Sequence, residues 1–93
     1  MFYVYILTNS NNTVLYTGVT NHLARRILEH KSEKIRGFTS RYNIHKLVYY
    51  EYTDSVTDAI AREKQIKKYY KRYKKRMITK FNPYWLDLTD RIL

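Results

Sequence analysis

Cysteine is absent from the 93-residue sequence, which excludes disulfides and thiolate zinc sites and suits a reducing cytoplasm. No apolar run approaches the ~20 residues that span a bilayer. The opening Met1-Phe2-Tyr3-Val4-Tyr5-Ile6-Leu7 carries no basic residue and soon meets Asn9-Ser10-Asn11-Asn12, a poor match to a secretory leader. Glycine occurs twice and proline once, and no repeat, linker or low-complexity tail divides the chain. One soluble, cytoplasmic domain over residues 1–93 is therefore expected. A chain of this size buries roughly 60–70% of its unfolded surface, enough for a modest core. Acidic residues are the other scarcity: eight Asp and Glu face eighteen Lys and Arg, for a net charge of +10.

That imbalance points to a polyanionic partner, because phosphate contacts release bound counterions. Nine of the eighteen cations fall in residues 64–80, where no acid occurs. A charge run by itself fits a solvated helical face equally well. Tyr69, Tyr70 and Tyr73 interleave with it and tilt the reading toward nucleic acid, since rings stack on bases, although they could also pack on a sheet. A membrane surface is disfavoured, because the segment has no opposing Leu-, Phe- or Trp-rich face.

Residues 2–7 are aromatic and β-branched, as strands prefer. Residues 9–12 are a turn cluster, and residues 14–19 read as the returning strand. Asn21 is placed to cap a helix over residues 21–32, with Leu23, Ile27 and Leu28 as its apolar positions. Residues 33–44 read as a mobile loop carrying Lys34, Arg36 and Arg41, and residues 46–52 as a third strand. A second helix is expected from Asp54 or Ser55, continuing through the basic segment to about Lys80, with Asn82-Pro83 breaking it. Residues 84–88 then pack back as a closing element. The order predicts an α+β fold: a small three-stranded antiparallel sheet flanked by helices.

Glu63 has apolar neighbours at −7, −4, −3 and +3 (Val56, Ala59, Ile60 and Ile66), the spacing of a core-facing stripe. A carboxylate there needs an Arg partner, a raised pKa or a metal. It equally fits a rim residue paired with Lys67, four positions on. Arg26 and His30 share one side of the first helix, at the edge of its Leu23/Ile27 stripe, where an amphipathic rim is the ordinary occupant. A hairpin would set Tyr5 and Tyr16 side by side, either as packing aromatics or as two phenols beside an Arg, a His and a carboxylate. Gly18 inside a strand signals a bulge or a close backbone approach. No paired carboxylates, glycine-rich phosphate loop, HExxH pattern or nucleophilic triad is present.

Tyr3-Val4-Tyr5, then ten residues, then Tyr16-Thr17-Gly18, the run Asn21-His22-Leu23-Ala24-Arg25-Arg26-Ile27-Leu28-Glu29-His30 and the later Glu63 resemble the GIY-YIG nuclease domain. More narrowly, the chain is similar to the small stand-alone bacterial proteins of the UPF0213 group over nearly its whole length. The resemblance implies that Tyr5 and Tyr16 are the two motif tyrosines and Gly18 the motif glycine. Arg26, rather than Arg25, takes the place of the catalytic arginine, His30 that of the histidine found in part of the superfamily, and Glu63 that of the single metal-binding glutamate. Asn82 matches a polar C-terminal position. Tyr3 stands where the first motif has glycine, and Thr17 where the second has isoleucine or valine; both suit a strand, and neither removes a reactive group.

The implied activity is Mg²⁺- or Mn²⁺-dependent endonucleolytic hydrolysis of DNA, directed by structure rather than sequence, in repair or recombination. Glu63 would hold the ion and Arg26 would grip phosphate oxygens. Arg26 and the metal would lower the pKa of Tyr16 or Tyr5 so that one acts as base, with His30 as its hydrogen-bond partner or as the base itself. Arg25, Lys31, Lys34, Arg36, Arg41, Lys67, Lys71, Lys74 and Lys75 are the expected phosphate contacts. Since no separate recognition domain is discernible, a repair protein is an expected targeting partner. The rival expectations are a nucleic-acid-binding module whose nuclease chemistry is weak, lost or partner-dependent, and a basic RNA-associated protein.

Overall fold

The computed structural model describes residues 1–32, 37 and 41–93. Its spine is β1 (Phe2–Thr8), in which five consecutive residues from Val4 to Thr8 are buried because the strand is covered on both faces. β2 (Leu15–Thr20) and β3 (Lys46–Thr53) flank it, giving an antiparallel sheet of order β2-β1-β3. The expected three-stranded α+β architecture is therefore present. Asn9 makes the hairpin: its Oδ1 accepts from the Thr13 and Val14 amides at 2.8 and 3.2 Å, while Asn12 takes a left-handed φ of 58°.

Alternation along β1 sorts the core into two. Val4 and Ile6 pack with Ala59 and Ile66 of α2 (Val56–Lys68) and Ile78 of α3 (Lys71–Phe81). Tyr5 and Leu7 pack on the other face with Leu23 and Ile27 of α1 (Leu23–Lys31) and with Leu88. The β1–β3 register shifts between Ile6 and Leu7, so that Ile6 faces Tyr49 and Leu7 faces Leu47. This bulge at Val48 lets Val48 and Tyr49, neighbours in sequence, both join the α2/α3 cluster while Leu47 and Tyr50 serve the other.

Three local expectations are corrected. His22, not Asn21, caps α1, its Nδ1 accepting from the Arg25 amide at 3.3 Å. The basic segment is two helices, because Tyr69 and Tyr70 are extended (φ/ψ −67°/146° and −60°/149°). An unbroken helix over residues 55–80 would run ~39 Å, beyond the molecule's longest dimension of 30 Å. Tyr69 instead turns its ring onto the core and against Tyr73, ring centroids 4.6 Å apart. Finally, Val56 and Ile60 are 48% and 42% exposed; α2 seats itself through Ala59 and Ile66, so the apolar stripe around Glu63 is narrower than its spacing implied.

The closing segment is tied by side chains. Asn82 is buried, donates to the Val48 and Leu86 carbonyls at 3.2 and 2.8 Å and accepts from the Leu86 amide at 3.1 Å. Asp87 accepts from the Leu47 amide at 3.2 Å and pairs with Lys31 at 2.6 Å. Burial pushes the Asp87 carboxyl up, but Lys31 and Thr89 hydrogen bonds outweigh it and hold the group below its ordinary range. A short helix, α4 (Thr89–Ile92), which had no sequence signal, follows and packs on α1.

Candidate active site

Three rings meet where β1, β2 and α1 converge. Tyr5 stands at the middle of the central strand, paired with Gly18 on β2 and Tyr50 on β3. Its phenol lies across Gly18: a Cβ there would overlap Tyr5 Cζ and Oη, so a close approach is the reason for glycine in the strand. Tyr16 lies beside it, ring centroids 6.4 Å apart, and His30 completes the cluster at 6.0 Å from Tyr5 and 5.6 Å from Tyr16, edge-on to both. His30 is buried within α1, and its Nε2 is 3.2 Å from the Tyr5 hydroxyl.

Electrostatics sets the charge of both partners in that contact. Burial, then the neighbouring Arg26 charge, lowers the His30 pKa to about 4, so the imidazole is neutral at pH 7. Burial likewise pushes Tyr5 up to about 12, although a hydrogen bond from Arg26 pulls the other way. A neutral phenol and a neutral imidazole thus share one hydrogen bond between the Tyr5 hydroxyl and His30 Nε2. The Arg26 cation alone does not lower Tyr5 below a normal phenol, because desolvation wins. Tyr16 is only half-buried and is the phenol that solvent can reach.

Arg26 sits one helical turn before His30, as the spacing predicted, and the Tyr5 hydrogen bond raises its own pKa further. Its Nη1 lies 3.7 Å from Glu29 Oε1, but Nε is buried with no partner. An orphaned guanidinium donor beside the half-buried Tyr16 is ready to donate to an oxyanion. Glu63 approaches from α2, which packs against β1 and β2, and its charge is felt at Tyr5. Its side chain is 14% exposed and Oε2 lies 2.9 Å from Lys67 Nζ, so the i,i+4 ion pair is formed. Tyr5, Tyr16, Gly18, Arg26 and His30 are thus brought together on the α1 side of the sheet, whereas Glu63 stands on α2 and reaches the cluster through its charge on Tyr5; Asn82, fully engaged in tying the closing segment to β3, has a structural part.

Among the described residues no three His, Cys, Asp or Glu converge on one point. A protein cage for a metal is thereby excluded there, but a hard divalent cation with one carboxylate, its own waters and phosphate oxygens fits Glu63 once Lys67 releases it. The candidate phosphate contacts divide. Arg25, Arg41 and Lys75 are exposed, whereas Lys31 is held by Asp87 and Lys71 donates to the Thr13 carbonyl. Lys74 is half-buried, its pKa lowered by burial and then by Lys67. Lys34 and Arg36 lie outside the described residues.

One further polar cluster was not foreseen. On the opposite sheet face Arg62 donates to Glu51 Oε1 at 2.6 Å, to Gln65 at 2.6 Å and to Tyr69 at 3.3 Å, while Tyr49 donates to the other Glu51 oxygen. Burial and then Glu51 push Tyr49 up to about 12. The only sequence hint was a glutamate flanked by tyrosines in β3.

The sheet order, the tyrosine pair and the Arg, His and Glu around it define a chain of the GIY-YIG class. Residues 1–77 match the sequence model of the GIY-YIG catalytic domain, and the chain belongs to that family. Within it, the relatives are UPF0213 proteins. That of Syntrophus aciditrophicus is 43% identical over 82 residues, covering 87% of this chain and 92% of the relative. That of Clostridium perfringens is 38% identical over 79 residues, covering 85% and 84%. The solution NMR structure of the UPF0213 protein from Bacillus halodurans superposes with a TM-score of 0.59 at 28% identity, covering 97% of this chain and 96% of that one. No helix among the described residues is long and apolar enough to cross a membrane.

Proposed function

We propose that residues 1–93 form one catalytic domain that hydrolyses DNA phosphodiester bonds endonucleolytically with the help of Mg²⁺ or Mn²⁺. The observation that carries this reading is the buried, unpartnered Nε of Arg26 beside the Tyr5–His30 hydrogen bond, with the Glu63 charge within reach. A phosphate oxygen satisfies Arg26. Its negative charge also offsets the guanidinium field that depresses His30, which readies the imidazole to take a proton. Attack of water on phosphorus forms one P–O bond and breaks the bond to the leaving oxygen. Tyr16 takes the water's proton as it passes its own to Tyr5, and Tyr5 passes its own to His30, which ends as the imidazolium. Glu63 would hold the divalent ion, which supplies charge neutralisation at the phosphate and at the leaving oxygen.

The net charge of +10 supports polyanion binding, and the absence of cysteine supports a cytoplasmic setting. Structured DNA arising in repair or recombination, reached through a repair protein, is the substrate class this reading favours. Cleavage of supercoiled and branched DNA with Mg²⁺, then with chelator, tests it: metal-dependent products are expected, and their absence at high enzyme concentration would remove the activity. A second reading is favoured by the Lys67–Glu63 ion pair, which fills the carboxylate with the chain's own cation. It makes the protein a nucleic-acid-binding module without hydrolysis. Titration of the apo chain with Mn²⁺ separates the two, since the second predicts no saturable binding.

A further inference from the structure

A cavity of about 500 Å³, within the roughly 300–1,000 Å³ of small-molecule sites, opens next to the candidate active site. Tyr3, Tyr50 and Tyr52 form one wall, Asn21 and His22 enter from the lead into α1, and Arg91 closes it from α4. None of these residues takes part in the chemistry proposed above. Tyr3 precedes Tyr5 by two positions on the same strand face, hence by ~7 Å. On the α1 side, His22 begins the helical turn that ends in Arg26, whose amide donates to the His22 carbonyl at 3.0 Å. The cavity and the orphaned Arg26 donor therefore lie within about one nucleotide of each other.

Its lining is suited to a flat heteroaromatic guest. Tyr3 and Tyr52 face each other across β1 and β3, ring centroids 6.0 Å apart and tilted by 53°. Tyr52 is 64% exposed, so one ring face is open to solvent. The helix cap uses His22 Nδ1 as acceptor, which leaves Nε2 carrying the ring proton as a donor. Asn21 offers both a donor and an acceptor, and the Arg91 guanidinium can stack or meet a phosphate. Two aromatic rings with sparse polar groups and a cation, on a strongly basic chain, match a nucleobase and its backbone.

We infer that this cavity binds one unpaired nucleobase of the strand whose phosphate occupies Arg26. The base is unpaired because in a duplex both its faces are stacked on neighbours, so that only a single-stranded or extruded base can enter. The inference deepens the nuclease reading and rests on it for the placement of the phosphate. It assigns the chain a preference for DNA with unpaired nucleotides at the cut.

The test is a binding measurement in chelator, where no cleavage occurs. A single-stranded oligothymidylate hexamer is compared with an abasic hexamer of identical backbone and charge, using wild-type protein, Tyr52→Ala and Ala24→Trp. The second substitution fills the cavity from α1 and leaves untouched the separate cleft of about 520 Å³ against α2, which Tyr52 also lines. Wild-type protein should favour the thymidylate strand about ten-fold, the scale of one stacked base. Both variants should lose that preference while binding the abasic strand as before, which also shows that they are folded. Persistence of the preference in either variant, or its absence from wild-type protein, overturns the inference. Mg²⁺-dependent cleavage by the same proteins separates the two failures: base preference without cleavage removes the nuclease reading, and cleavage without base preference removes the cavity.

Discussion

The two faces of one small sheet carry polar clusters of opposite character. Behind it, Arg62, Glu51, Tyr49, Gln65 and Tyr69 spend their hydrogen bonds on one another. In front, Tyr5 and His30 are paired but Arg26 keeps a buried donor with nothing to hold. Both clusters contain an arginine, a carboxylate within reach and tyrosines. The difference lies in saturation: a closed network holds elements together, whereas an open one waits for a partner.

The largest expected effect separates the two arginines. Arg26→Ala should lower the cleavage rate by ~10³ or more, the scale of arginines in phosphoryl transfer, with the melting temperature little changed. Arg62→Ala should leave the rate nearly intact and cost roughly 1 kcal/mol of stability, since its pair is about one-third exposed and screened. Equal rates for the two variants would erase the distinction between the faces.

Glycine at position 18 gives the next effect. Gly18→Ala forces Tyr5 aside and should destabilise by ~1–3 kcal/mol, as overpacking does. The displaced phenol should also lose its contact with His30, so that activity falls at temperatures where the variant is still folded. A variant with wild-type activity would make the Tyr5–His30 contact incidental.

The front cluster also predicts a pH signature in the acid range. His30 titrates near 6.5 when unfolded but about 4 when folded, so between these values the unfolded chain binds a proton that the folded chain does not. Stability should therefore fall as pH drops from 6.5 to 4, by about 3 kcal/mol from this group, and no further below. Denaturant unfolding of wild-type protein and His30→Gln across that range checks it: the gap between them should narrow toward pH 4. A gap independent of pH would show that folding leaves the titration of His30 unshifted.

The smallest effect concerns the basic helices. If phosphates meet them, Lys75→Gln should reduce the slope of log affinity against log salt by ~0.9, one contact on duplex DNA. Lys71→Gln should act instead on stability, because Lys71 holds the hairpin turn through the Thr13 carbonyl. A slope unaltered by Lys75→Gln would move the nucleic acid to another surface.

Much of this was legible in the residues. Aromatic and β-branched runs gave the strands, and the i,i+4 spacing put Arg26 and His30 on one side of α1. The helix break at Tyr69 and Tyr70 was not legible, because neither proline nor glycine marks it. It follows from the size of the sheet and from where one tyrosine ring fits, both tertiary facts. Tyr16 or Tyr5 likewise looked like a phenol that Arg26 and a metal would acidify; at Tyr5 burial outweighs Arg26 alone. Glu63 remained two-sided in sequence, and the structure forms the pair with Lys67, while its charge also reaches Tyr5. The Glu51–Arg62 network could not be read at all, since nothing local links residues eleven positions apart on a strand and a helix.

Asp87 has a bearing on solubility. β3 is an outer strand, and the backbone of such a strand is a template for pairing with another molecule. At Leu47 that template is already taken: Asp87 receives the amide, and the Leu88 amide donates to the carbonyl at 2.8 Å. The closing segment thus works as a gatekeeper against edge-to-edge aggregation. Asp87→Ala, by freeing one end of the strand and releasing Lys31, should increase self-association with rising concentration relative to the wild-type chain.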